Sequence, residues 1–242
     1  MTKNLAIAVF LWMLGATIAA GQGISVDLGD ESSISTRTLQ LFALITVLSL
    51  APGLAIMITC FPFIVTVLSI LRQAIGLQQA PPNMLIVSLA LFLTYFVMEP
   101  VFQSAWTNGL GPLTNDEIDV ETAFTETLAP FRTFMAARMD AETFAAMASL
   151  RPDTADVPLS PEAPLSALIP SFLLSEISRA FQVGFLIFMP FLIIDLVVAA
   201  VLMSMGMMMV PPAIVSLPFK LAFFVIADGW SLIAGSLVRS YF

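Results

Sequence analysis

Long apolar stretches separated by short breaks dominate the chain. After the first twenty residues they cover residues 39–51, 54–71, 84–101, 181–205 and 213–238, each with at most two charged residues. A membrane helix needs about 20 mostly apolar residues, and helices that are apolar on all sides are buried in lipid or in an assembly. The pattern predicts an all-α fold of polytopic, membrane-associated helical hairpins. Residues 39–51 fit either an entry helix or half of a broken span.

The N-terminal residues form a separate pattern. Lys3 precedes an apolar run over residues 5–18, and the small residues Ala19, Ala20 and Gly21 follow it. A positive residue, a short apolar run and a small-residue cleavage site are typical of a secretory signal peptide, which we place at residues 1–21. The alternative is an uncleaved first membrane helix. Cleavage would place the mature N-terminus, and with it the central polar region, outside the cytoplasm.

One polar region, residues 103–180, lies between two hydrophobic hairpin regions, residues 39–102 and 181–238. It holds more than half of the 17 acidic residues. Apolar residues recur in it at helical spacing, and Asp140 is a candidate N-cap for the second of two helices. The spaced residues are Ala123, Phe124, Thr127, Leu128, Phe131, Phe144, Met147 and Ala148. We predict a small acidic helical insertion with a proline-rich loop at 151–164; a disordered acidic loop is the alternative.

The two hairpin regions repeat one turn. The turn residues are Gly76, Pro81 and Pro82 in the first hairpin and Gly206, Pro211 and Pro212 in the second. In each, a glycine is expected to end one helix and the prolines to begin the next. A Val-Ser-Leu triplet follows both turns. The repeat indicates either two related hairpins or two hairpins that converged on the same turn chemistry.

The second turn is rich in methionine. Residues 203–209 contain five of the 14 methionines of the chain. Methionine is unbranched and polarizable, so a ring of such turns is able to close on itself and to repack around changing contents. The alternative is that methionine merely replaces leucine at a helix end.

Three charged residues interrupt the last two apolar stretches: Asp195, Lys220 and Asp228. A charge at the centre of a bilayer costs at least ~2.5–3.5 kcal/mol, so we expect these groups to be buried against protein. Asp195 and Lys220 lie at similar distances along the chain from Gly206, which predicts an ion pair between antiparallel helices. A proton or ion pathway is the alternative. Glu176 and Arg179 are spaced for a local pair.

Composition excludes several functions. The chain is 59% hydrophobic and 11% charged, with no histidine, one cysteine and a net charge of −8. It therefore offers no histidine-based catalytic or metal site and no internal disulfide, and its acidity argues against a nucleic-acid partner. No residue pattern indicates catalysis or a cofactor, so we expect a protein that is not an enzyme.

Several segments, taken together, resemble the FliP family of flagellar biosynthetic proteins. They are residues 68–83, 89–94, 190–197, 203–212, 217–221 and 228–230. The resemblance implies a core subunit of the flagellar type III protein export gate, in the bacterial inner membrane at the flagellar basal body. It implies assembly with other copies of the chain and with FliQ-like and FliR-like subunits into a channel for unfolded flagellar axial proteins, near FlhA-like and FlhB-like exporter components.

The resemblance also implies a role for the methionine-rich turn. By matching position, Met207, Met208 and Met209 form a gasket across the pore, and the family's helices can sit raised above the membrane plane. The pattern departs from the family at residues 60–64 and at Arg179, where the positive charge is shifted by one position, so any pairing between subunits through these charges is in doubt. The alternatives are the corresponding subunit of a virulence injectisome and an ion-coupled secondary transporter.

Overall fold

The structure, a computed structural model, describes residues 38–39, 41–46, 49, 53, 55–77, 80–207 and 209–242. The predicted signal peptide, residues 1–21, lies outside the described residues. The chain divides into two compact units, Met1–Ser49 and Leu50–Phe242. In the first, the described residues are helical. The helices of the second are α1 (Phe61–Ile75), α2 (Asn83–Ala105), α3 (Gly111–Thr114), α4 (Val120–Arg138), α5 (Ala141–Ala148), α6 (Leu165–Ser204), α7 (Pro212–Ile226) and α8 (Gly229–Arg239).

Every regular element in the described part of the chain is helical, which confirms the all-α prediction. A π-helical turn, Trp106–Leu110, joins α2 to α3, so that Asn83–Thr114 forms one apolar helix of 32 residues. This helix and α6, with 40 residues, are long and apolar enough to cross a membrane. Helices α7 and α8 meet this criterion together, but they are bent by 60°. The described residues thus contain two candidate spans, or three if the bent pair is one span.

Three predicted boundaries differ from the structure. The apolar stretch 54–71 yields α1, whose 15 residues are short for a span. The stretch 213–238 is two helices, because Asp228 adopts a left-handed φ of 47° between them. The predicted boundary between residues 180 and 181 falls inside α6, which continues through Pro170 and Pro190. The helix is continuous across residues 180 and 181, so the predicted boundary is not a break in the backbone.

Helix α1 is the centre of the larger core. One face of it is fully buried and packs against α2, α6 and α7. At ~1.5–3 kcal/mol per fully buried large side chain, this face is a principal source of stability. Gly184 permits α6 to approach α1 closely, since an added Cβ there would lie 2.4 Å from Ile70. The buried residues of α1 are Phe63, Ile64, Val67, Leu68, Leu71, Ala74 and Ile75.

The polar insertion has its own small core, and both of its predicted helices are present as α4 and α5. Asp140 caps α5 as predicted: its Oδ1 accepts a 2.8 Å hydrogen bond from the Thr143 N–H, and this bond lowers the pKa of the Asp140 carboxyl. Arg132 donates to the carbonyls of Pro161 and Ala163 and holds the predicted proline-rich loop on α4. The core residues are Met135, Met139, Phe144, Ala148, Ala163, Ala167, Leu168 and Phe172.

Candidate functional site

The two repeated turns have the backbone that their sequence predicts. Gly76 follows α1 with φ 88°, and Gly206 follows α6 with φ 76°, a region that glycine adopts without strain. Pro82 is the N-cap of α2, and Pro211 is the N-cap of α7. Each turn therefore ends one helix with a left-handed glycine and begins the next with proline. Whether the two hairpins share an origin stays a prediction.

The methionines of this turn that the structure describes are exposed. Met209 is 97% exposed and Met207 43% exposed, and Met208 lies outside the described residues. Behind the turn, between α6 and α7, is an open cavity of about 560 Å³ lined only by apolar side chains. Its lining is Ile193, Ile194, Val197, Val198, Val201, Leu202, Met205, Met207, Val215 and Phe219. Exposed methionines over an apolar cavity have both the freedom and the space to repack.

An ion pair lies behind this turn, as the register of the two helices predicted. Lys220 of α7 donates from Nζ to Asp195 Oδ2 of α6 at 2.6 Å. The Lys220 side chain is 7% exposed, and that of Asp195 is 31% exposed. Ser216 donates to the other carboxylate oxygen, Oδ1, at 2.5 Å. The carboxylate of Asp195 is thus held by two groups of α7.

Lys220 also binds the first hairpin. Its Nζ donates to the Ala74 carbonyl at 3.2 Å. Ala74 lies in the last turn of α1, where carbonyls have no partner within the helix, and the Lys220 Nζ lies 3.9 Å from the position of an added Cβ on Gly76. One lysine therefore links the end of α1, beside the first turn, to both helices of the second hairpin. Sequence reasoning did not predict this bond.

Asp228 is not buried, contrary to the sequence-based expectation. It is exposed in the bend between α7 and α8. The reason is local: Asp228 lies between two helices, where its backbone is left-handed. The following Gly229 permits the bend, since an added Cβ would lie 2.1 Å from the ring of Phe224.

A second buried acid is more completely enclosed than Asp195. The Glu176 side chain of α6 is 0% exposed. Its Oε1 lies 3.2 Å from Arg179 Nη1 and 3.5 Å from Arg138 Nε, and its Oε2 accepts a 2.6 Å hydrogen bond from the Tyr241 hydroxyl. Burial, reinforced by the charge of Glu176, raises the pKa of Tyr241 above its ordinary value, so this hydroxyl stays protonated. We call these four residues the Glu176 cluster.

The sequence predicted only one contact of the Glu176 cluster, the local pair with Arg179. The shifted positive charge at Arg179 thus pairs within the chain. Arg138 and Tyr241 are distant in sequence from Glu176, and no sequence pattern indicated that they contact it. Among the residues that the structure describes, no group of three or more His, Cys, Asp or Glu side chains is placed to hold a metal ion.

Comparison with known proteins decides the family. The profile of the FliP family matches residues 44–237. The chain belongs to the FliP family. The flagellar biosynthetic protein FliP of Caulobacter vibrioides is 48% identical over 238 residues, which cover 97% of this chain and 88% of the relative. The protein of the same name from Bacillus subtilis is 45% identical over 216 residues, covering 88% and 95%, and that from Rhizobium meliloti is 44% identical over 239 residues, covering 96% and 97%.

The FliP family match confirms the resemblance read from the motifs. It includes both hairpin turns, the polar insertion, the Asp195–Lys220 pair and Glu176. It ends before Ser240 and Tyr241, so the last member of the Glu176 cluster lies beyond the matched segment. The candidate functional sites of this FliP family chain are therefore the methionine-rich turn and the two charge clusters of α6, at Glu176 and at Asp195.

Proposed function

We propose that this chain is a core subunit of the flagellar type III protein export gate. In this proposal it forms, with copies of itself and with FliQ-like and FliR-like subunits, a passage in the inner membrane for unfolded flagellar axial proteins. FlhA-like and FlhB-like components lie nearby, and the insertion at 103–180 lies outside the cytoplasm. Membership of the FliP family and the name carried by the relatives, flagellar biosynthetic protein, support the flagellar system over an injectisome.

The observation that carries the channel proposal is the exposed methionine-rich turn. Met207 and Met209 are 43% and 97% exposed, and exposing such large apolar side chains to water is unfavourable unless another molecule covers them. Apposed turns from several copies would bury them in one another and form a gasket of Met207, Met208 and Met209. Such a gasket excludes hydrated ions, because no polar side chain lines it, and yields to an unfolded chain, because methionine changes rotamer easily.

The exposed apolar helix faces support the membrane location and the partner subunits. Helix α6 is long and apolar, and only 11% of its most apolar part is buried within the chain. Surface of this kind is covered by lipid or by neighbouring subunits. We therefore propose that the exposed apolar faces of the single chain contact lipid and the other subunits of the assembly.

A genetic experiment tests the flagellar assignment. Deleting the gene in the organism that carries it is expected to abolish swimming and the export of flagellar axial proteins, and the full chain supplied in trans restores both. Effector secretion is measured in the same strains. A deletion strain that still swims, or that loses effector secretion alone, contradicts the proposal.

A substitution set tests the gasket. Replacing Met207, Met208 and Met209 together with alanine is expected to raise ion conductance of the assembled complex in membranes, because the gasket loses most of its apolar volume. The triple leucine variant keeps that volume and is expected to stay closed to ions. Met84→Ala is the matched control, since Met84 is 80% exposed at the start of α2 beside the other turn. Unchanged conductance in an alanine variant that still assembles would refute the gasket.

A further inference from the structure

The segment after α8 is bound to the polar insertion as well as to α6. Besides the bond from Tyr241 to Glu176, the Ser240 carbonyl accepts a 2.8 Å hydrogen bond from Arg138 Nη1. Arg179 of α6 donates to the carbonyl of Arg138 at 3.2 Å. Residues 240 and 241 therefore lie where the end of α4 meets α6, and they contact both.

The ring of Tyr241 is enclosed as tightly as its hydroxyl. The Arg138 guanidinium carbon lies 4.0 Å from the ring centroid, in cation–π geometry. Phe134 of α4 stacks on the ring with centroids 6.1 Å apart, and Phe63 of α1 meets it edge-on at 5.7 Å. One tyrosine thus contacts three helices, α1, α4 and α6.

The electrostatic balance of the Glu176 cluster depends on the orientation of the Glu176 carboxylate. A fully buried carboxylate is tolerated only when charges and hydrogen bonds compensate it. Its two arginines come from different helices, and both approach Oε1. Among the described residues, Tyr241 alone supplies a hydrogen bond to Oε2. Without the hydroxyl, Oε2 has no partner among the described residues, and the carboxylate is free to turn away from Arg138.

We propose that Tyr241 is a positioning residue that locks the end of α4 onto α6. Its hydroxyl orients the Glu176 carboxylate toward Arg138 and Arg179, and its ring holds the Arg138 guanidinium in place. The lock fixes the end of α4 on the helix whose far end carries the methionine-rich turn. The proposal rests on contacts within this chain and not on the proposed export function, so either can fail without the other.

The test compares two tyrosines that differ only in their surroundings. The chain has two tyrosines. Tyr241→Phe removes the hydroxyl that binds Glu176, and Tyr95→Phe removes a hydroxyl from a ring that is 61% exposed. Both variants are made in the full chain, purified in detergent, and followed by hydrogen–deuterium exchange of the backbone amides in α4, the first turns of α6, and α7.

We expect Tyr241→Phe to speed exchange in the second half of α4 and around Glu176 by about tenfold to a hundredfold, the range expected for losing a hydrogen bond to a charged group. Exchange in α7 and in Tyr95→Phe should match the parent chain. In a Glu176→Gln background, Tyr241→Phe should add little, because the carboxylate that it orients is already gone.

Two results would overturn the proposal. One is unchanged exchange in α4 of Tyr241→Phe. The other is an equal increase in α4 and α7, which would mean general destabilisation and not a local lock. If Glu176→Gln does not fold, Tyr241→Phe alone decides, since it leaves every charge of the cluster in place. Swimming of the same variants is recorded separately and bears on the proposed function, not on the lock.

Discussion

Removing the charge of Lys220 should destabilise the fold at the junction of the two hairpins. Lys220→Met keeps most of the side-chain stem and deletes the ammonium group. The substitution leaves the Asp195 carboxylate with Ser216 as its remaining partner and removes the hydrogen bond to the Ala74 carbonyl at the end of α1. Two groups therefore lose a charged partner through one change.

The magnitude follows from the burial of the two side chains. Breaking a fully buried ion pair costs about 3–5 kcal/mol. Asp195 is 31% exposed and regains some hydration, which lowers the expected cost to about 2–4 kcal/mol even with the lost carbonyl bond included. Removing both charges, as in Asp195→Leu with Lys220→Met, should cost much less, because no unpaired charge remains and Ser216 keeps a bond to the Ala213 carbonyl.

The measurement is the free energy of unfolding of the purified full chain in detergent, taken from a denaturant titration followed by circular dichroism. Arg151→Met is the matched control: Arg151 pairs with Asp153 at 2.5 Å, but the side chains are 53% and 59% exposed, so its loss should cost about 0–1 kcal/mol. If Lys220→Met is no worse than Arg151→Met, or if the double variant loses as much stability as Lys220→Met alone, the reasoning is refuted.

Two further predictions concern the bend and the cysteine. Gly229→Ala should lower the melting temperature, because the new Cβ would lie 2.1 Å from the Phe224 ring. The control is Gly235→Ala in the same helix, whose Cβ meets only the end of the Arg239 side chain at 3.7 Å and which should leave the melting temperature unchanged or raise it. Equal effects of the two substitutions would contradict this. Cys60 is 0% exposed, and burial raises its pKa to about 12, so at pH 7.5 N-ethylmaleimide should modify it, as seen by mass, only after unfolding; rapid labelling of the folded chain would contradict the burial.

Much of the fold, and the Asp195–Lys220 pair of the candidate site, could be predicted because they depend on residues close to one another in sequence or on simple helix geometry. A glycine followed by paired prolines specifies its own turn, because left-handed φ and the start of a helix are properties of those residues. The ion pair of Asp195 and Lys220 followed from counting residues away from Gly206, since two antiparallel helices fix relative depth. The Asp140 cap is equally local.

The rest depends on contacts between distant residues. Nothing in the sequence near Lys220 indicates that it binds the carbonyl of Ala74, because every residue offers the same carbonyl. The sequence near Glu176 likewise names only Arg179, and Tyr241 reaches the same carboxylate from the segment after α8. The bend at Asp228 was missed for another reason: hydropathy averages over the stretch, whereas a single left-handed residue breaks the helix.

Two acidic residues constrain how the methionine-rich turn is able to move. Both lie on α6, at Glu176 and Asp195, roughly 28 Å apart at ~1.5 Å per residue, and each is bound by cations from other helices. Sliding or rotating α6 would separate Glu176 from Arg138 and Asp195 from Lys220, at a cost of about 2–5 kcal/mol each. A change of methionine rotamer at the exposed turn costs far less. If the turn opens for a passing chain as proposed, we therefore expect the methionine side chains and the turn itself to move while α6 stays fixed.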